Sequence, residues 1–484
     1  MRQALLTIAA LLIAAAILLA GNGLQNTLLA VRGNLEGFSL TAIGLLLSSF
    51  FVGFIAGCKL TPVFVKNVGH IRTFTALASV ASAAALGHAL FVDPIWWMAL
   101  RVITGLCIAG LNMIIESWIN ERAPSEKRGR ILAVYRMVDF SALLVGQALL
   151  TLADPLGFAL FAVVSILISL ALVPVALSTA VAPQPIKGAQ LNIRKLWTIS
   201  PVAAAGTLSC GAANGAFWAL GPVFIQQVGY EIGAVATFMS AVILGGAMGQ
   251  WPLGVISDLV DRRRVIAGIA FGAVIASAVI VVYGTVSLWT LLPAAVAFGA
   301  MSMPIFAISA ALAHDRAEPG EYVETSGGLL LLYGVGAMIG PLVGAIVMDW
   351  AGAQALFVFA GSVYVIYGGF SLMEIRRRPP VPFEDKAAYV GVPRTTPTVF
   401  ELAPQEEEDT AYDASPRLRA RGGRSRPIHA RRAEATARPR PRPSSLRLAG
   451  LESPHACATA RPRRLPCRSP APSRCSRSPP PRPA

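Results

Sequence analysis

Charge is what this chain has least of. Asp, Glu, Lys and Arg make up only 14% of its 484 residues, while 55% are hydrophobic. Soluble domains carry about 25% charged residues, and with a mean hydropathy of +0.60 the chain fits lipid better than water as its solvent. Cysteine is scarce too. Cys58, Cys107 and Cys210 lie in apolar runs and Cys457, Cys467 and Cys475 near the C-terminus, with neither metal-ligand nor disulfide-framework spacing. No GxxxxGK[ST] phosphate loop occurs, which excludes the usual ATP-driven machinery. His70, His88 and His314 are scattered, and no loop supplies a His/Asp/Ser cluster, so a membrane-embedded enzyme is the least favoured class. Neither a cofactor nor a metal is expected.

The formal charge of +15 suggests a nucleic-acid binder until it is located. Residues 414–484 hold eighteen arginines, no lysine and two acids, a net +16, which leaves the first 413 residues at about −1. The basic character belongs to the tail, and nucleic acid is not an expected partner.

What the chain does have is long apolar runs. A hydrocarbon core of ~30 Å needs about 20 apolar residues in a helix. Such runs fall near 5–31, 40–62, 73–92, 95–119, 131–153 and 156–180, then near 198–225, 233–256, 265–286, 288–313, 326–349 and 353–373. The first has the look of a signal peptide, but its apolar stretch continues to about Val31 and reads as a retained helix. The loops alternate in charge. One set carries Lys59, Lys66, Arg72, Arg122, Lys127, Arg128, Arg130, Lys187, Arg194, Lys195, Arg262 to Arg264, Arg316 and Arg376 to Arg378, and the other only Arg32. By the positive-inside rule both termini are cytoplasmic, as an even number of spans also requires. The expected organisation is all-α: residues 1–180 as one six-helix half, 181–197 as a cytoplasmic linker, 198–375 as a second half, and 376–484 as a disordered cytoplasmic tail. From 416 onward the Arg/Pro/Ser/Ala composition suits a basic arm for anionic lipid. It suits an out-of-frame translation of GC-rich coding DNA better.

The two halves echo each other. A shift of 192 lays Asn22-Gly23 on Asn214-Gly215, Gly37-Phe38 on Gly229-Tyr230, Gly53 and Gly57 on Gly245 and Gly249, and Arg72 on Arg264. A shift of 198 lays Tyr135 and Gly146 on Tyr333 and Gly344. Parallel six-helix repeats are a pattern of secondary transporters.

Three motifs then carry a resemblance. GVISDLVDRRR places Gly254, Asp258, Arg262 and Arg263 in a glycine–aspartate–basic loop. Arg101-x-x-x-Gly105 precedes Ala109-Gly110, and Gly336-x-x-x-Gly340-Pro341-x-x-Gly344 occupies the eleventh run. On these the chain resembles the major facilitator superfamily over roughly residues 1–375. It departs from the drug/proton exporters, because the shift puts Pro62 and Lys66 opposite Gly254 and Asp258, and the Gly-Pro pattern is absent from the fifth run. Val68 to Arg72 and the ESW…RGR stretch are similar to the superfamily's YcaD-like branch. The resemblance implies a central cavity lined by the first, fourth, seventh and tenth helices, in a bacterial-type inner membrane.

At 100° per residue, Arg101, Gly105, Asn112 and Glu116 fall within about 60° on one face of the fourth run. The same spacing groups Asn22, Gln25 and Asn26 on the first, and Asn214, Phe217 and Trp218 on the seventh. These faces are expected to line the cavity, although each amide also fits plain interhelical hydrogen bonding. The tenth run offers only Met301, Met303, Pro304 and Phe306. Arg101 and Glu116 lie ~22 Å apart along the axis and cannot meet. Arg136 has two candidate partners, Glu116 and Asp139, and either carboxylate is a candidate protonation site. Lys66, Arg72, Arg128, Arg130, Gly254, Asp258, Arg262 and Arg263 are candidates for cytoplasmic gating, with a solvated basic loop as the simpler reading.

The expectation is a monomeric secondary transporter working by alternating access, its partners a small organic solute, membrane lipid and protons. A facilitative uniporter and a non-transporting sensor or scaffold are the alternatives.

Overall fold

A computed structural model describes residues 2–123, 128–177, 193–317 and 322–379, with the isolated positions 381, 382, 386 and 389. Most of the expected linker, and the tail beyond position 389 including 416–484, lie outside the described residues.

Helix is the only regular structure among the described residues. Twelve helices are long and apolar enough to cross a membrane. They are α1 (Arg2–Leu35), α2 (Leu40–Val68), α3 (His70–Leu90), α4 (Pro94–Arg122), α5 (Arg128–Leu149) and α6 (Ala159–Ala176), followed by α7 (Pro201–Gln227), α8 (Ile232–Leu259), α9 (Arg262–Tyr283), α10 (Leu288–His314), α11 (Tyr322–Ala351) and α12 (Ala355–Arg377). A short helix, Ile193–Ile199, precedes α7. Several helices extend a turn or so past the apolar runs, because polar flanks such as Lys66 or Glu121-Arg122 continue the helix beyond the apolar zone.

Helix ends obey local chemistry. The side chain of Ser39 caps α2, Asp93 caps α4 with Pro94 at the first helical position, and Ser200-Pro201 repeats that arrangement at α7. Ser287 caps α10. These caps explain how turns as short as Asp93-Pro94 suffice. Two spans are interrupted. In α10 the helix breaks at Met303, where Pro304 has no N–H to offer the preceding turn, and α6 breaks at Ala171 ahead of Pro174.

The repeat in the sequence is a repeat in packing. Within the first six helices α2 packs on α4, α1 on α5 and α6, and α3 on α4 and α6. Within the last six α8 packs on α10, α7 on α11 and α12, and α9 on α10 and α12. Glycines set the closest approaches at matched places. A Cβ built on Gly53 would fall 1.9 Å from the Val102 carbonyl oxygen, and one on Gly245 would fall 2.0 Å from that of Val296. Gly105 meets the Phe50 carbonyl and Gly299 the Val242 carbonyl, each at 2.0 Å. Helix backbones touch there, as small residues permit in membranes.

The turns after α1 and α7 repeat as well. Gly37 (φ 76°) and Gly229 (φ 97°) both take the left-handed conformation. In each, the next residue's N–H closes back over the turn, Phe38 to the Gly33 carbonyl and Tyr230 to that of Ile225. The halves meet through α2 on α11, α5 on α8 and α1 on α7. At the ends of α1 and α7, Asn34 Nδ2 donates to Gln226 Oε1 at 3.1 Å. These two residues are themselves 192 apart, so each sits at the other's equivalent position.

Candidate functional site

A cavity of about 170 Å³ lies between the halves. It is lined from α1 by Asn22, Gly23 and Asn26, from α2 by Phe50, Phe51 and Phe54, and from α4 by Arg101, Ile108 and Asn112. Arg136, Asp139 and Leu143 of α5, Gly215 and Trp218 of α7, and Leu330, Tyr333 and Gly334 of α11 also line it. Its walls combine aromatic faces with a few buried polar groups, a composition typical of small-molecule sites.

Arg101 is 1% exposed. Its Nη2 donates to Asn26 Oδ1 at 2.7 Å, and its guanidinium carbon stands 4.4 Å from the centre of the Phe50 ring. Nε and Nη1 have no hydrogen-bond partner among the described residues. The Oδ1 atoms of Asn22 and Asn112 are likewise buried without such partners. Donors and acceptors left open around one space are what a polar solute would complete.

Arg136 pairs with Asp139, one turn on along α5. Both side chains are more than nine-tenths buried, and the Phe140 ring lies 4.1 Å from the Arg136 guanidinium carbon. Glu116, fully buried, accepts a hydrogen bond from Tyr135 Oη at 3.1 Å.

Other expected residues lie elsewhere. Gln25 is fully buried but does not line the cavity. Asn214 turns away, donating to Cys210 Sγ at 3.0 Å and accepting from Tyr364 Oη at 3.4 Å. Phe217 belongs to an aromatic cluster with Phe238 and Phe298. The cause is simple: at ~100° per residue such an i, i+3, i+4 group spans an arc of about 100°, and only part of that arc reaches the cavity. The aromatic wall of α2 and the α11 residues were not legible as site residues. Phe50, Phe51 and Phe54 carried a signal as three aromatics in five positions, and Tyr333 stood out only as the counterpart of Tyr135.

At the ends of α8 and α9 the basic cluster is not a solvated loop. Arg262 is buried, with Nε 2.6 Å from Asp315 and Nη1 2.9 Å from Asp258. Arg263 pairs with Asp261 at 2.7 Å and donates to the carbonyls of Glu374 and Arg378. Burial alone would raise the Asp261 carboxyl, but the hydrogen bonds and charge of Arg263, aided by Lys386, hold it below the ordinary value. Asp258 also receives the Tyr389 N–H on both oxygens at 3.0 Å. The Tyr389 hydroxyl meets Gln250, and its ring covers Gly254, where a Cβ would fall 2.2 Å away. Lys386 Nζ donates to the Val260 carbonyl at 2.7 Å. By contrast, Lys66, Arg72 and Arg130 are exposed, and Arg128 begins α5. Lys195, in the short helix before α7, bonds Glu324 of α11 at 3.0 Å. Among the described residues no group of three or more His, Cys, Asp or Glu is placed to hold a metal.

The family model described as Major Facilitator Superfamily matches residues 11–286 and, in an overlapping second match, 203–399. The uncharacterized MFS-type transporter YcaD of Escherichia fergusonii is 25% identical over 347 residues, covering 71% of this chain and 89% of its own length. YcaD of Escherichia coli (strain K12 / DH10B) matches with the same identity and the same coverage. Among solved structures, the nucleoside transporter NupG superposes with a TM-score of 0.64 at 13% identity, over 77% of this chain and 100% of that one. A bacterial homolog of the human lysosomal transporter Spinster, inward-facing and unoccupied, gives 0.62 at 15% identity, over 79% and 98%. At these identities the solved structures share the fold.

Proposed function

We propose that this chain, which belongs to the Major Facilitator Superfamily, is a proton-coupled secondary transporter that moves a small organic solute by alternating access. That it is a multi-pass membrane transporter and not an enzyme follows from the family. The solute, the coupling and the mechanism are inferred from the site. The loop charges support cytoplasmic termini in a bacterial-type inner membrane.

The observation that carries the reading is the buried Arg136–Asp139 pair facing the cavity. A titratable carboxylate inside a membrane bundle is expensive and typically belongs to a solute or proton path. A proton on Asp139 weakens its ion pair with Arg136, and altering the charge balance of a buried pair is costly enough to favour rearrangement. The solute site and the proton site then share one wall, so occupancy of one alters the energy of the other. The Asn34–Gln226 hydrogen bond joins the ends of α1 and α7 across the halves, and alternation would part it.

Uptake and efflux profiling in proteoliposomes across a solute library, with and without an imposed pH gradient, tests this. The expected result is gradient-driven flux whose pH dependence is lost in Asp139→Asn. Flux with unchanged pH dependence in that variant removes Asp139 from the mechanism, and a gradient that drives nothing leaves a uniporter or a non-transporting protein.

A further inference from the structure

We infer that the cavity takes a monovalent organic anion, a carboxylate on a single aromatic or similarly compact apolar body, with Arg101 as the carboxylate's seat. This rests on the reading of the cavity as the solute site and specifies what the site accepts.

Charge comes first. The charged residues lining the cavity are Arg101, Arg136 and Asp139. Asp139 is already engaged by Arg136 on the same helix. The lining therefore carries a net charge of +1, centred on Arg101. A bare guanidinium away from water is strongly disfavoured. What Arg101 has is one neutral amide oxygen and one ring face, from Asn26 and Phe50. No carboxylate among the described residues ion-pairs with it, and Nε and Nη1 offer three hydrogens without acceptors. A single carboxylate supplies the missing charge and the missing acceptors together. A cationic solute would add to the uncompensated charge. A neutral one would leave it unbalanced, and a dianion would overcompensate it.

The rest of the wall gives the body. Phe50, Phe51, Phe54, Trp218 and Tyr333 present ring faces and edges to the same space. A cavity of about 150 Å³ lined by apolar side chains accommodates benzene, and the space here is about 170 Å³. One ring with a short carboxylate fills it. The unpartnered Asn22 and Asn112 oxygens suit a hydroxyl or amine hydrogen on that ring.

The test uses the purified full-length chain. Benzoate, 4-hydroxybenzoate and phenylacetate are compared with benzamide, benzylamine and chloride for protection against thermal unfolding and for affinity by calorimetry. The carboxylates are expected to protect and the other three to have no effect. Arg101→Gln is expected to weaken carboxylate binding about tenfold or more, as loss of a charge-assisted hydrogen bond does, and Arg101→Lys to retain part of it. The ranking on the unaltered chain stands even if a variant does not fold. Protection by benzamide, benzylamine or chloride equal to that by benzoate overturns the proposal. So does retention of benzoate affinity in folded Arg101→Gln, or no protection by any of the three acids. Proteoliposome flux of radiolabelled benzoate separates the two readings. Binding without flux keeps the anion site and removes the transporter, whereas flux of neutral or cationic solutes without acid binding keeps the transporter and removes the anion site.

Discussion

In Gly53→Ala the new methyl falls 1.9 Å from the Val102 carbonyl oxygen, and in Gly245→Ala, at the matched seam of the other half, 2.0 Å from that of Val296. Real Cβ contacts essentially never fall below 3.0 Å, so each seam must open by about 1 Å. The obstacle is backbone inside a helix, which cannot swing aside as a flexible side chain does. A gap of ~0.5–1 Å forfeits about a quarter to a half of each van der Waals contact it separates. Overpacking of this kind costs about 1–3 kcal/mol. Replacing a mid-helix glycine returns about 0.5–1 kcal/mol in conformational entropy, so each variant should lose roughly 1–2 kcal/mol net. Gly268 in α9 and Gly369 in α12 have nothing within 4 Å of a built Cβ. There only the entropic gain remains, and the sign reverses. Reversible unfolding in mixed micelles with increasing dodecyl sulfate, followed by far-ultraviolet circular dichroism, measures all four. Seam and control variants that shift in the same direction would refute the reasoning. So would Gly53→Ala and Gly245→Ala differing by much more than about 1 kcal/mol, because the two seams are near copies.

Three further outcomes are expected. A double-mutant cycle on Asn34→Ala and Gln226→Ala should give a coupling of about 0.5–1.5 kcal/mol in the same unfolding assay, and strict additivity would contradict the 3.1 Å contact. Tyr389→Ala should release the segment that Lys386 anchors on the Val260 carbonyl, read as a several-fold faster tryptic cut after Lys386; an unchanged rate would mean the ring does not hold the segment. The Asp261 carboxyl is held below its ordinary 3.8, so what it contributes to stability is fully present above that value and lost as pH falls through the lower folded-state value. Comparing acid unfolding of the parent with Asp261→Asn checks this: below about pH 4 the parent should lose more stability than the variant does.

The twelve spans were legible because the bilayer imposes one length and one composition on every crossing, and Ser or Asp caps marked where several begin. The repeat was legible for a related reason. Glycines such as Gly53 and Gly245 are dictated by backbone contact, so they persist at one offset where ordinary apolar residues blur. The helical-wheel reading brought Asn22, Asn26, Arg101, Asn112 and Trp218 to the cavity. It could not separate Trp218 from its neighbours Asn214 and Phe217, because which edge of a face points inward depends on helix rotation within the bundle. That Arg136 reaches Asp139 needed rotamers as well as spacing. Least legible was the burial of Arg262 and Arg263. A run of three arginines after an aspartate reads as solvated until Asp315, some fifty residues later, is known to reach Arg262.

Arg101 has an implication for bioenergetics. A charge carried through the membrane field gains or loses about 2.3 kcal/mol per 100 mV. If the protein alternates as proposed, the vacant site, with two arginines and one ionised aspartate on its walls, moves as a cation, whereas the site holding a monovalent anion with Asp139 still ionised moves as a neutral object. Membrane potential therefore acts on the return of the vacant carrier and leaves the loaded step almost untouched. Because such a cycle transfers one net charge, voltage would bias the direction of cargo movement as well as the rate of reset.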